Sequence, residues 1–299
     1  MRRLAQLALA AGLLGIGLTL TDRQLAPSPE HRAELLTAGD IPVRAVRGGH
    51  GDTTLVLVHG FGEHLLTWRS VFDRLASRYR VVALDLPGFG ASGKPEGPYT
   101  LEAMAGRLGA FVETWTEPPV VLVGHSLGGA IAAQVALAQP ALVQGLILIA
   151  PAGLDVGLAM VTGEPGPAKA AAVGIWEAAR AFMTPLHDPA WLAEPDSLAQ
   201  YDPALDPAFR VSTAKVLSEF DFRGVGGRFA DLTQPTLVIW GLDDPVIPSS
   251  LADSVAGLIP CRQLVKLRRT LHRPQIERPD TVVTVIERFL TDPACESAG

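Results

Sequence analysis

Val120-Val121-Leu122-Val123-Gly124-His125-Ser126-Leu127-Gly128-Gly129 is the stretch on which the fold turns. A β-branched apolar run stops in G-x-S-x-G, and a helix-forming segment, 130–137, follows at once. A strand ended by so tight a turn holds its serine strained and exposed at the top of a sheet. The flanking glycines are required because side chains there would collide with neighbouring backbone. A helix that starts at the serine aims free N–H groups and the positive end of its dipole at whatever the hydroxyl attacks. Ser126 is therefore a candidate nucleophile. With 30 glycines among 299 residues, G-x-S-x-G alone is a weak signal, and the strand-to-helix setting gives it weight.

Acyl transfer by a serine needs a base, a group that orients the base, and donors for the oxyanion. Downstream, the apolar run 235–240 ends in Gly241-Leu242-Asp243-Asp244-Pro245-Val246-Ile247-Pro248. A further run, 263–267, leads to Thr270-Leu271-His272-Arg273-Pro274. Serine, aspartate and histidine thus follow in order, each just past a predicted strand. In a parallel sheet those strand ends share one face, so the three side chains can converge. Upstream, the run 54–58 enters His59-Gly60-Phe61-Gly62. The backbone N–H groups of Phe61 and Leu127 are the expected oxyanion donors.

Taken together, His59 to Gly62, Asp85-Leu86-Pro87-Gly88-Phe89-Gly90-Ala91-Ser92, Gly124 to Gly129, Trp240 to Pro248 and His272 to Pro279 resemble the α/β-hydrolase superfamily. The resemblance is to its capped, esterase-like branch, similar to meta-cleavage product hydrolases, esterases and lipases, and covers 41–290. It implies Ser126 as nucleophile, His272 as base and Asp244 as acid. Asp244, three residues after Gly241 and four before Pro248, matches the family position better than its neighbour Asp243. Where the family has glycine before the histidine, this chain has Leu271, which is expected to shift the His272 loop.

Other motifs point elsewhere and fail on context. Gly88-Phe89-Gly90-Ala91-Ser92-Gly93-Lys94 fits G-x-G-x-x-G and nearly makes a phosphate loop. Both need a helix opening at the glycines, which Pro95 and Pro98 block. The seven histidines, at 31, 50, 59, 64, 125, 187 and 272, form no H-E-x-x-H and no Cys/His cluster, so no metal or cofactor is expected. His59 and His125 are expected to hydrogen-bond backbone around the site. The net charge of −6 gives no reason to expect a nucleic-acid partner.

At 48% hydrophobic and 19% charged residues, the chain can bury a large core. Arg2 and Arg3 precede an apolar stretch, 4–20, with no convincing cleavage site. Residues 1–21 therefore read as a membrane anchor or signal that leaves the catalytic domain on the extracytoplasmic side, and 22–40 read as a linker. The core is expected over 41–150 and 231–292, where strand-like and helix-like runs alternate. This predicts an α/β fold: a mostly parallel, doubly wound sheet. Residues 151–230 carry no strand run and read as an inserted helical cap. Its apolar side chains, Phe209 and Phe220 among them, are expected to pack on the core or line an apolar pocket. Cys261 and Cys295 are expected at the end of the sheet opposite the catalytic face, where they could pair in an exported domain.

The expected activity is hydrolysis of a small or medium apolar ester-type molecule through an acyl-enzyme. Two alternatives stay open. A carbon–carbon hydrolase of the ring-cleavage type shares the triad and cap, and Arg180, Arg210, Arg223 or Arg228 would bind its substrate carboxylate. A non-catalytic receptor on the same scaffold is disfavoured by the complete Ser/Asp/His set. Epoxide hydrolases and haloalkane dehalogenases resemble chains with aspartate at the elbow, which Ser126 argues against.

Overall fold

The computed structural model describes residues 33–154, 206–293 and 295. Among them, eight strands form one sheet in the order β1-β2-β4-β3-β5-β6-β7-β8. The strands are β1 (Ala33–Ala38), β2 (Ile41–Gly48), β3 (Thr54–Val58), β4 (Arg80–Leu84), β5 (Val120–His125), β6 (Val143–Ile149), β7 (Thr236–Gly241) and β8 (Arg262–Leu267). β1 pairs antiparallel with β2, and β2 antiparallel with β4. From β4 to β8 every pairing is parallel. The expected doubly wound sheet is therefore present.

Burial on both faces explains why the central strands are continuous apolar runs rather than alternating ones. Val56 and Val58 of β3, with Val120 and Leu122 of β5, enter the core on one face. Leu55, Leu57, Val121 and Val123 enter the core on the other. The helices are α1 (Arg69–Ala76), α2 (Leu101–Trp115), α3 (Leu127–Ala138), α4 (Pro207–Glu219), α5 (Leu251–Leu258), α6 (Pro274–Glu277) and α7 (Pro279–Thr291). Nearly every residue of α3 is buried, as expected of a helix that runs under the sheet's functional rim. Thr100 caps α2 by accepting from the Ala103 N–H, and Asp206 caps α4 by accepting from Ala208 and Phe209.

One boundary differs from the reading of 22–40 as a linker. Ala33-Glu34-Leu35-Leu36-Thr37-Ala38 is the edge strand β1, zipped to β2 from Ala33↔Val46 to Ala38↔Ile41. Alanine, glutamate and leucine favour helix, and pairing with β2 overrides that preference. The segments read as an anchor or signal, 1–21, and as most of the cap, 155–205, lie outside the described residues. Among the described residues no helix is long and apolar enough to cross a membrane.

α4 brings the chain back onto the core through the loop that follows β4. Ser212 Oγ donates to Gly88 O at 2.6 Å, Tyr99 N donates to Glu219 Oε2 at 2.7 Å, and Lys215 Nζ donates to Glu96 O. Lys94 Nζ donates to Gly90 O and Ser92 O and pairs with Asp206. The lysine that made the decoy phosphate motif is thus a brace between that loop and the start of α4.

At the opposite end of the sheet, Cys261 at the entry to β8 and Cys295 beyond α7 form a disulfide across a sequence separation of 34.

Candidate active site

The elbow is built by backbone collision. Ser126 sits at φ 51°, ψ −117°, a conformation that L side chains rarely adopt. Its N–H donates to Ile149 O, and its carbonyl accepts from Gly129, Ala130 and Ala152. Those bonds hold the strained residue from β6 on one side and α3 on the other. A Cβ at Gly124 would lie 2.5 Å from Gly128 O, and one at Gly128 would lie 2.4 Å from both His59 O and Val58 O. The two glycines of the motif are therefore demanded by packing, as the sequence suggested.

Asp244 and His272 meet at the ends of adjacent strands. His272 Nδ1 lies 2.7 Å from Asp244 Oδ2. The other oxygen, Oδ1, accepts the N–H groups of Val246 at 2.8 Å and Ile247 at 2.9 Å. Because the carboxylate accepts at Oδ2, Nδ1 carries the proton and Nε2 is left as the basic nitrogen. Burial is the largest influence on His272 and lowers its pKa. The bond to Asp244 acts in the opposite sense and does not overcome it. Asp243 is exposed, and its backbone N–H donates to Thr270 O.

Leu271 precedes His272 without breaking the contact to Asp244. Its side chain is half exposed, and its N–H donates to Glu277 Oε2, while Arg273 N donates to Glu277 Oε1. Glu277 thus clamps the backbone on both sides of His272, and the leucine occupies solvent rather than core space.

Leu127 follows Ser126 directly, and Phe61 lies just beyond the end of β3. Leu127 is the first residue of α3, so its N–H belongs to the turn that has no acceptor within the helix. Phe61 lies in the loop after β3, and its ring meets Phe89 and Phe222 edge-on at 5.8 and 6.4 Å between centroids. Phe222 in turn packs on Phe220 at 4.8 Å. Ser126 Oγ and the His272 ring share no hydrogen bond among the described residues. Such bonds are commonly long without substrate and tighten in the complex.

His59 and His125 do contact backbone around the site. His59 Nδ1 donates to Gly60 O, and its Nε2 accepts from Leu86 N at 3.0 Å. Burial pushes the pKa of His59 down, in keeping with a neutral ring. His125 Nε2 lies 2.8 Å from His272 O, so the base loop rests on the residue that precedes Ser126.

Three groups escaped sequence reasoning. Glu63 accepts from Gly60 N and lies 3.1 Å from His125 Nδ1, with Arg273 Nε at 3.7 Å. Burial works against its charge, but His125 and Arg273 outweigh burial and hold the Glu63 carboxyl well below the usual range. Asp85 and Arg44 form a fully buried pair at 2.6 Å, and Asp85 also accepts from Leu65 and Ala91. Burial opposes the charge on Asp85, and Arg44 more than compensates. Glu277 was not singled out either. The available signals were an arginine inside an otherwise apolar strand, Ile41-Pro42-Val43-Arg44-Ala45-Val46, and an acid three residues after Gly60. Neither names its partner without the fold.

Among the described residues no group of three or more His, Cys, Asp or Glu could hold a metal ion. The arrangement offers a strained serine, a partly buried imidazole oriented by a carboxylate, and helix N–H groups at the serine.

A family model described as the alpha/beta hydrolase fold matches residues 53–279. The pimeloyl-[acyl-carrier protein] methyl ester esterase of Aeromonas hydrophila is 30% identical over 270 residues, 83% of this chain and 99% of that protein. The 2-hydroxy-6-oxo-6-(2'-aminophenyl)hexa-2,4-dienoic acid hydrolase of Metapseudomonas resinovorans is 29% identical over 266 residues, 86% of this chain and 90% of that protein. Among solved structures, a serine hydrolase involved in carbazole degradation superposes with a TM-score of 0.69 at 25% identity, covering 87% of this chain and 99% of its own.

Proposed function

The chain belongs to the alpha/beta hydrolase fold family, and from that premise we propose that it is a serine hydrolase of small or medium apolar esters, working through an acyl-enzyme. Ser126 Oγ attacks the ester carbonyl while His272 Nε2 takes its proton. Asp244 holds the tautomer and stabilises the imidazolium. The tetrahedral oxyanion rests on the N–H groups of Phe61 and Leu127. His272 then protonates the leaving alcohol and activates water for deacylation.

The observation that carries this reading is the 2.7 Å contact between His272 and Asp244 beside a serine at positive φ. A pure binding protein has no use for an oriented base next to a strained hydroxyl. The half-buried rings of Phe61 and Phe222 support an apolar substrate. Residues 151–230 act as the cap. The test is a panel of nitrophenyl esters of increasing acyl length, run beside Ser126→Ala. Turnover that depends on Ser126 and peaks at a short or medium acyl chain supports the proposal. Full activity in Ser126→Ala overturns it.

The dienoic acid hydrolase relative favours a second reading, hydrolysis of a carbon–carbon bond. Arg180, Arg210, Arg223 or Arg228, in the segment read as the cap, would then bind the substrate carboxylate. A vinylogous diketo acid turned over faster than any ester would decide for it. On either reading residues 1–21 anchor the enzyme to a membrane or export it, with the catalytic domain on the extracytoplasmic side. The disulfide supports that location, since such bonds persist in oxidising compartments. Fractionation of cells expressing the full chain tests it, and recovery in the cytosol would reject it.

A further inference from the structure

A histidine–glutamate contact that the mechanism does not use begins at the residue before the nucleophile. His125 is buried, with only 1% of its side chain exposed, and each of its ring nitrogens faces an oxygen. Nε2 lies 2.8 Å from His272 O, and a carbonyl can only accept. Nδ1 lies 3.1 Å from Glu63 Oε2, which also accepts from Gly60 N. A neutral imidazole carries one ring proton and would leave one of these contacts without a hydrogen. Either His125 carries both protons or Glu63 is protonated. Glu63 Oε2 already accepts the Gly60 N–H, and the Arg273 guanidinium lies 3.7 Å from Oε1, a setting built for a carboxylate, which makes Glu63 the acceptor.

Resting on the reading above, we propose that Glu63 and His125 are positioning residues, a carboxylate–imidazolium pair that ties together the three loops bearing the oxyanion donor, the nucleophile and the base. Each tie is visible. Glu63 accepts from Gly60, next to Phe61. His125 is the last residue of β5, next to Ser126. His125 donates to His272 O, and Arg273 lies beside Glu63 Oε1. The bonds leave no freedom for one loop to move without the others.

The charges around His125 come from several elements. Glu63 and Arg273 approach from the loops after β3 and β8. The His272 ring, on Asp244, lies 4.8 Å away between centroids. The His59 ring, at the end of β3, is kept neutral by burial and adds no charge. One carboxylate facing one imidazolium and one guanidinium makes the cluster cationic overall before Asp244 is counted.

Nuclear magnetic resonance of ¹⁵N-histidine-labelled protein at neutral pH reads the pair without any substrate. The expected spectrum shows both ring nitrogens of His125 protonated in the wild type, and a single proton in Glu63→Gln. A wild-type ring with one proton overturns the proposal, even if the variant fails to fold. Kinetics with the best nitrophenyl ester supplies the second readout. Glu63→Gln should lower kcat by about 10- to 100-fold, with KM within about twofold, because misplacing reacting groups by an ångström costs on that order. Glu63→Asp, which keeps the charge, should recover part of the loss. Unchanged kcat in Glu63→Gln, or a change in KM alone, overturns the positioning role while leaving Ser126-dependent hydrolysis standing. Should the wild type neither hydrolyse an ester nor react with a fluorophosphonate at Ser126, both readings fall.

Discussion

Asp244 faces His272 with one carboxylate oxygen and its own loop with the other: Oδ2 lies 2.7 Å from Nδ1, and Oδ1 takes two backbone N–H groups. The imidazole is therefore oriented by a carboxylate that cannot itself rotate away. Asp244→Asn keeps the shape but presents an amide N–H to one of these partners. Pointed at His272, it forces the proton onto Nε2 and removes the base. We expect kcat to fall by about 10³- to 10⁴-fold, on the scale known for this change in serine triads. Asp243→Asn should stay within about twofold of wild type, since its side chain is exposed. Steady-state kinetics of both variants checks the choice between the two aspartates, and the opposite ranking would reassign the acid.

The pH dependence follows from burial. Protonation of His272 removes the base, so activity is lost as pH falls through its pKa. Burial lowers that pKa against the pull of Asp244. The acid limb of kcat/KM should thus have its midpoint below the ordinary imidazole value of about 6.5. A midpoint at or above that value would contradict the geometry.

The Arg44–Asp85 pair governs stability rather than chemistry. Both side chains are inaccessible to solvent, and Asp85 also anchors the N–H groups of Leu65 and Ala91. Asp85→Asn leaves Arg44 charged and buried, and should cost about 3–5 kcal/mol in urea unfolding. The folded-state pKa of Asp85 is depressed, so the unfolded chain takes up the proton first as pH falls. The pair's contribution is full above about pH 4 and is lost below it, through the depressed folded value. A variant as stable as wild type at pH 7 would refute this.

Gly241 sets the height of the base loop. A Cβ there would lie 2.0 Å from Leu271 O and 2.4 Å from Thr270 O, backbone atoms of the two residues that precede His272. Gly241→Ala should push that loop outward and lower kcat by about 10-fold or more. A crystal structure of the variant would show whether the Asp244 contact is stretched, and unchanged kinetics would mean the loop yields freely.

The disulfide is remote from these events. Cys261 stands at the entry of β8, whereas His272 follows its exit. Cys261→Ser together with Cys295→Ser should lower stability by about 2–4 kcal/mol. The kcat on the best nitrophenyl ester should stay unchanged. Lost activity with intact stability would show a coupling that the fold does not suggest.

The parts of the site legible in the sequence were those encoded locally. Ser126, Asp244 and His272 each follow a run whose apolar content marks a strand end, and the two elbow glycines announce a backbone collision. Glu63 and Arg44 were not legible, because each acts through a partner far along the chain; Glu277 has near neighbours as partners, but only the fold of the turn at His272 aims it at their N–H groups. Glu63 reaches His125 at a separation of 62 residues, and Arg44 reaches Asp85 at 41. β1 was missed for a related reason: its residues favour helix alone, and only the register with β2 makes them a strand.

The oxyanion donors proposed here belong to the peptide main chain, while the rings that surround them belong to side chains. No point substitution erases an amide N–H except one to proline. A lineage can therefore trade Phe61 or Phe222 for residues of other girth and drift among acyl groups, with the electrophile-stabilising apparatus inherited intact at each step.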